Sequence, residues 1–170
     1  MKINIKELTV FGVLGALIYA SKLVMAFLPN IHIVGAFIVA LTVVYRLKAI
    51  YPITVFIFLV GILNGFSLWW LPYLYIWFLL WGIIMLLPKN MPKAVAIPVY
   101  MSICALHGFA FGTLYAPAQA ILFGLDFKGM ISWIIAGLPF DFIHGVSNFL
   151  CGVIIYPMIL AFRTTNKYLK

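Results

Sequence analysis

Acidic side chains are scarce in this sequence: three Asp and Glu residues occur among 170, and charged residues of both signs make up only 8%. A soluble domain with so few charges and 66% hydrophobic residues could not cover its surface with polar groups. Cysteine is also scarce. Cys104 and Cys151 both fall in apolar stretches, so we expect small apolar fillers, and no disulfide or metal-binding pattern follows from them.

Two patterns that would indicate other protein classes are missing. The apolar stretches lack the apolar–polar alternation of barrel strands, so a membrane-spanning chain of this kind must be helical. No G-x-x-x-x-G-K-[ST] sequence occurs, which excludes ATP use through a P-loop. Internal repeats and inverted similarity between the halves are absent too, so residues 1–170 are expected to form one membrane-embedded domain. We expect no cofactor.

Six apolar segments predict an all-α membrane protein with six transmembrane helices, at residues 8–28, 31–45, 49–66, 71–87, 94–115 and 139–162. The first lacks a small-residue cleavage site, so we expect a retained helix and not a signal peptide. With both termini in the cytoplasm, nine of the eleven Lys and Arg residues lie on that side: Lys2, Lys6, Arg46, Lys48, Lys89, Lys93, Arg163, Lys167 and Lys170. The net charge of +8 therefore indicates orientation in a cell membrane, not nucleic-acid binding.

Residues 116–138 have the weakest helical pattern. The stretches 116–119 and 124–126 predict an external loop, and residues 130–138 are apolar but too short to cross a bilayer. This apolar piece either lies in the membrane interface, anchored by Trp133, or extends the sixth helix outward from a bend at Pro139.

The first helix carries small residues at four-residue spacing, Gly12, Ala16 and Ala20, with Gly15 beside them. Such a stripe lets another helix approach closely. It either packs against a neighbour in the same bundle or docks another membrane protein.

The fourth helix carries an aromatic stripe, since Trp70, Tyr73, Trp77 and Trp81 are spaced three, four and four residues apart. A membrane-interface belt accounts for the outer members without any function. Trp77 lies near mid-depth, where it is either core filler or the wall of a site for a flat ligand.

The sixth helix has a polar face, because Asp141, His144 and Asn148 fall within about 80° of arc. Ionisable residues inside a membrane are costly and usually line a cavity or pair internally, so a purely structural Asp141–His144 pair is the alternative. His107 and His32 are expected in the same outer half of the bilayer. Lys22 also lies there, either snorkelling or touching ligand. This clustering predicts a small-molecule pocket that opens outward.

These features resemble the substrate-binding S component of an energy-coupling factor (ECF) transporter. Residues 12–20 are similar to the Ala-x-x-x-Ala surface on helix one of that family, and residues 139–145 resemble a Pro-Phe-(Asn/Asp)-x-Ile-(Lys/His)-Gly start of helix six. Members that take up nickel or cobalt have a histidine directly after the initiator Met, where this chain has Lys2, so the resemblance argues against a metal substrate.

The resemblance implies a non-enzymatic uptake subunit that binds a vitamin or precursor from outside. It would then topple in the membrane against a transmembrane coupling subunit, driven by two ATPases. The aromatic stripe with Asp141 and His144 points to a planar, hydrogen-bonding heterocycle. Two alternatives stay open. One is a self-sufficient carrier or channel, and the other is an intramembrane enzyme using Asp141, His144 or Ser147, although residues 145–148 lack the Gly-x-Ser-Gly of rhomboid-like proteases.

Overall fold

A computed structural model describes residues 3–169, which form helices joined by short connections. The helices are α1 Ile5–Val24, α2 Val34–Tyr45, α3 Ile50–Asn64, α4 Tyr73–Met85, α5 Lys93–Phe109, α6 Phe111–Phe123, α7 Phe127–Cys151 and α8 Ile155–Lys167. Short 3₁₀ turns lie at Arg46–Ala49, Leu68–Trp70 and Gly152–Ile154. No β-strand occurs within residues 3–169, which confirms the all-α prediction.

Five helical stretches are long and apolar enough to cross a membrane: Ile5–Val24, Val34–Asn64, Leu68–Met85, Lys93–Phe123 and Phe127–Lys167. Their outward faces carry exposed large apolar side chains, among them Leu17, Ile62 and Leu79. In water these side chains would promote aggregation, whereas in a bilayer they face lipid tails. The length and composition of these helices are therefore consistent with a multi-pass membrane protein.

Local signals set several helix ends. Asn4 and Glu7 form a capping box at the start of α1, in which the Asn4 Oδ1 accepts from the Glu7 amide at 2.8 Å and the Glu7 Oε2 accepts from the Asn4 amide at 3.2 Å. Gly124 ends α6 in the left-handed conformation, with φ +66°. Asp126 then caps α7 by accepting from the Gly129 amide at 2.7 Å.

The stretch Val34–Asn64 contains a chain reversal at Arg46, whose φ of +53° is unusual for a residue with a side chain. The end of α2 lies beside the first half of α1, since the Tyr45 and Phe11 rings are 5.1 Å apart. The end of α3 reaches the second half of α1, where the Asn64 Oδ1 accepts from the Tyr19 hydroxyl at 2.8 Å. Helices α2 and α3 therefore run in opposite directions.

Both ends of the described chain lie at the same end of the bundle, because Ile3, Asn4, Ile5, Lys6 and Leu169 line one surface depression. We call this the terminal end. The opposite end, where α1 ends and α4 and α6 begin, is the cavity end.

Glycines bring helices α5 and α7 close together. A Cβ atom added to Gly108 would lie 2.9 Å from both the Gly145 Cα and the His144 carbonyl oxygen. Only glycine permits this approach, which fixes the height of the α7 polar face against α5.

The predicted external loop at residues 116–119 is wrong. These residues belong to α6, with Pro117 inside the helix, and the chain turns at residues 124–126. Residues 130–138 are the first part of α7, which continues past Pro139, so the alternative of an outward extension describes this region. The predicted sixth helix, 139–162, is instead divided between α7 and α8 by the turn at Gly152–Ile154. Lys2 and Lys170 lie outside the described residues.

Candidate functional site

A cavity of about 280 Å³ opens at the cavity end, between the α1–α2 connection and helices α4, α6 and α7. Lys22, Met25 and Ala26 of the α1 end line it, together with Leu28, Pro29, Asn30, Ile31 and His32 of the connection. The remaining wall comes from Val34, Tyr73, Trp77, Phe111, Asp141 and His144. The volume suits a compound of one or two rings.

Trp77 forms the aromatic floor of this cavity and is only 1% exposed. The Tyr73 ring lies 5.8 Å away and the Phe111 ring 5.6 Å away, both measured between ring centroids. Aromatic walls at this spacing supply the dispersion and edge-to-face contacts that flat ligands use.

Histidines complete the aromatic wall. The His32 and His144 rings meet edge to face at 4.7 Å, and His144 lies 5.0 Å from Phe111. His107 stands behind the floor, 5.5 Å from Trp77, with its Nε2 3.1 Å from the Ile76 carbonyl oxygen. His107 therefore supports Trp77 and does not line the cavity.

Three of these lining side chains bury a polar atom without a hydrogen-bond partner. The atoms are His32 Nδ1, Trp77 Nε1 and His144 Nε2, and none has a partner within residues 3–169. Leaving one buried polar group unpaired costs about 1–3 kcal/mol. Three such atoms belong to side chains that line one cavity, so this wall holds polar groups that residues 3–169 do not satisfy.

His32, in the connection between α1 and α2, lies where the neutral form of its imidazole is favoured. Burial, together with the nearby positive charge of Lys22, lowers its pKa from 6.5 to about 4. A neutral imidazole offers one donor and one acceptor, so it can pair with either kind of ligand atom.

Asp141 lines the cavity and shares one hydrogen-bond donor between its two oxygens. Both carboxylate oxygens accept from the Gly112 amide, at 2.9 and 3.1 Å, which ties the first turn of α6 to α7. A Cβ atom at Gly112 would overlap this carboxylate, so the contact needs glycine there. The hydrogen bonds described within residues 3–169 include none between Asp141 and His144, and the structural pair considered from the sequence is replaced by this α6–α7 contact.

The next turn of α7 has a structural role. Asn148 donates from Nδ2 to the Cys104 carbonyl at 3.3 Å and does not line the cavity. The Ser147 hydroxyl has one proton, which it shares between the Asn30 carbonyl at 3.0 Å and the His144 carbonyl at 2.9 Å. Ser147 therefore attaches the α1–α2 connection, one wall of the cavity, to α7.

The predicted aromatic stripe separates into three regions, and Trp70 lies in the 3₁₀ turn before α4. Tyr73 and Trp77 line the cavity, whereas the Trp70 indole donates to the Ile57 carbonyl at 2.8 Å. Trp81 points to the terminal end, where its indole donates to the Arg46 carbonyl at 3.2 Å. Of the nine residues predicted to contact substrate, the structure brings five to the cavity: His32, Tyr73, Trp77, Asp141 and His144.

Sequence reasoning missed Phe111 and Asn30. Phe111 is one of fifteen phenylalanines and follows a one-residue break between α5 and α6 that leaves no local signal. Asn30 has a positive φ of 60°, and the Pro29-Asn30 pair does indicate a turn. Nothing in that pair shows that the turn lines a cavity.

The small-residue stripe on α1 faces away from the bundle. Ala16 and Ala20 are exposed, and a Cβ atom at Gly12 would touch nothing within 4 Å. Gly15 makes the internal contact instead, since a Cβ atom there would lie 2.8 Å from the Pro52 carbonyl oxygen of α3.

The described part of the chain contains no group of three or more His, Cys, Asp or Glu side chains arranged to hold a metal ion. Comparisons with protein-family models, with curated proteins and with solved structures find no match.

Proposed function

We propose that this chain is the S component of an ECF transporter in a prokaryotic cell membrane. In this role it captures a vitamin or heterocyclic precursor from outside the cell. A transmembrane coupling subunit and two ATPases then drive uptake, and the chain itself catalyses no reaction.

The observation that carries this proposal is the set of unpartnered atoms at the cavity. His32 Nδ1, Trp77 Nε1 and His144 Nε2 are buried in an aromatic wall and lack partners within the described chain. A planar ring with polar edge atoms would stack on the wall and pair with these nitrogens. Stacking and pairing of this kind support a role in capturing a ligand.

Six crossings with cytoplasmic termini are part of the proposal. The reversal at Arg46 supports counting Val34–Asn64 as two crossings, which raises the five candidate stretches to six. An even number agrees with the two chain ends lying at one end of the bundle. The same end carries Lys6, Arg46 and Lys48, as the positive-inside rule expects for a cytoplasmic face.

The α1 stripe supports a membrane partner. Gly12, Ala16 and Ala20 present small side chains to the membrane, where their own bundle does not use them. Small residues let a partner helix approach closely enough for extensive van der Waals contact. The proposed partner is the coupling subunit.

ATP-dependent uptake in cells that co-express the chain with a coupling subunit and two ATPases tests the whole proposal. Ala16→Leu should abolish uptake because its larger side chain blocks docking, while quenching of Trp fluorescence by the molecule that co-purifies with the protein stays unchanged. Ala136→Leu is the matched control, since Ala136 is exposed on α7 away from the stripe. Equal loss of binding and uptake in Ala16→Leu would contradict the docking role. Uptake that persists without the ATPases would favour a self-sufficient carrier.

A further inference from the structure

Lys22 is a half-buried cation on the cavity wall without a counter-ion. It lies in the last turn of α1 and lines the cavity. The ion pair found within residues 3–169 joins Lys48 to Glu7, at the terminal end. Lys22 also donates none of the side-chain hydrogen bonds described there. Its charge is therefore available to something that enters the cavity.

The single acidic side chain on the cavity wall does not balance this charge. Asp141 accepts from the Gly112 amide with both oxygens, at the N-terminus of α6. Amides at a helix N-terminus carry partial positive charge, so they compensate much of the carboxylate. The imidazoles of His32 and His144 carry no negative charge in either of their ordinary protonation states, so they do not balance Lys22. Lys22 is therefore a charged side chain on the cavity wall that has no partner within residues 3–169, and an anionic group on a ligand would pair with it.

We infer that the ligand is a one- or two-ring planar compound that carries an anionic group, with the ring on Trp77 and the anion at Lys22. This inference rests on the cavity being the ligand site of the proposed function. The ring is held between Trp77 and Phe111, and its edge atoms pair with the unpartnered nitrogens of His32 and His144. A carboxylate or a phosphate would satisfy Lys22 equally well. An ammonium pairs with either as a charge-assisted hydrogen bond.

Matched pairs of small probes distinguish charge from ring contact. Trp fluorescence of the detergent-purified full chain is titrated with nicotinate and nicotinamide, with indole-3-acetate and indole-3-acetamide, and with phenyl phosphate and phenol. In at least one pair the anion should bind at least about tenfold more tightly than its neutral counterpart, the effect of one charged hydrogen bond. Lys22→Gln should remove that preference, and Lys22→Arg should retain it.

Lys128→Gln is the control, because Lys128 is exposed at the start of α7 and does not line the cavity. It should leave the anion preference unchanged. Equal binding of anion and neutral probe, a preference for the neutral probe, or no binding of any anion would overturn the inference. A preference that survives Lys22→Gln would also overturn it and would leave Lys22 as a snorkelling side chain.

The uptake assay separates this result from the proposed function. ATPase-dependent uptake of a neutral compound would refute the inference of an anionic ligand and would still support the transporter role. Anion binding through Lys22 in a chain that supports no ATPase-dependent uptake would support the anionic ligand and refute the transporter role.

Discussion

At the terminal end the Arg46 guanidinium donates to the carbonyl oxygens of Met85 and Ile84, at 2.6 and 3.4 Å, and thereby caps the end of α4. Glu7 and Lys48 form an ion pair nearby, and Trp81 donates to the Arg46 carbonyl. At the cavity end, three lining side chains keep a buried polar atom unpaired within residues 3–169. Several polar groups of the terminal end are thus paired internally, although the Arg46 Nε is not, whereas three unpaired atoms belong to side chains on the wall of one cavity.

This difference separates stability from binding. Interactions at the terminal end hold a reversal with an unfavourable positive φ, and they join α1, the α2–α3 turn and α4. Unpaired groups at the cavity end lower the free energy of unfolding. A protein retains such groups where a bound ligand supplies their missing hydrogen-bond partners. Substitutions at the two ends should therefore affect different measurements.

The largest effect on stability is expected for Arg46→Ala. Losing the short bond to Met85 and the longer one to Ile84 should lower the free energy of unfolding by about 2–3 kcal/mol, because the donor is charged and the acceptors are left uncapped. Ligand affinity should not change. Chemical denaturation in detergent measures the first quantity and Trp quenching the second.

Arg163→Ala is the control for this variant, since Arg163 is exposed on α8 and its loss should change stability by less than about 0.5 kcal/mol. If Arg46→Ala weakened ligand binding as much as stability, the two ends would not be separable as described.

A matched pair of tryptophans on one helix sharpens the comparison. Trp77→Phe removes an indole donor that has no protein partner in the described chain, so affinity for the co-purifying ligand should fall by about 1–3 kcal/mol. Trp81→Phe removes a donor already bonded to the Arg46 carbonyl, so affinity should stay constant while stability falls by about 1 kcal/mol.

Titration calorimetry measures the affinity of both variants and thermal unfolding measures their stability. Trp77→Phe should lose affinity and Trp81→Phe should lose stability. Both substitutions shorten an indole to a phenyl ring on α4, so general loss of packing cannot by itself produce opposite patterns. Unchanged affinity in Trp77→Phe would mean that its Nε1 faces water and not ligand.

The sequence predicted faces of helices better than it predicted depths and partners. The spacing on α4 correctly grouped Tyr73, Trp77 and Trp81, but eight residues of helix span about 12 Å. Trp81 therefore reaches Arg46 at the terminal end, although it shares a face with Tyr73. Helical periodicity gives an angle around the axis and does not state which end of the bundle a residue meets.

Long-range partners were the least predictable part. Asp141 was expected to face substrate or to pair with His144; it lines the cavity, but its hydrogen-bond partner is the Gly112 amide, 29 residues earlier. That contact also holds the first turn of α6 against α7. Pro117 and the small residues around it are compatible with either a helix or a loop. Residues 116–119 therefore looked like a loop when the contact with α7 was not known. The apolar runs needed no such partner, and the all-α prediction was confirmed.

The smallest effect is expected at the junction between the cavity wall and α7. Ser147→Ala removes the hydroxyl that donates to the Asn30 carbonyl at 3.0 Å, one link between the α1–α2 connection and α7. Stability should fall by about 1 kcal/mol, the usual contribution of one neutral hydrogen bond. Affinity should fall as well, by a similar or smaller amount, because a looser connection must be ordered again when ligand binds.

Thr164→Ala provides the control, since the Thr164 hydroxyl donates to the Leu160 carbonyl on the exposed side of α8, far from the cavity. That variant should leave affinity unchanged. If Ser147→Ala lowered stability without any loss of affinity, the α1–α2 connection would be held in place by its other contacts, and its hydrogen bond to α7 would belong with the stabilising interactions of the terminal end.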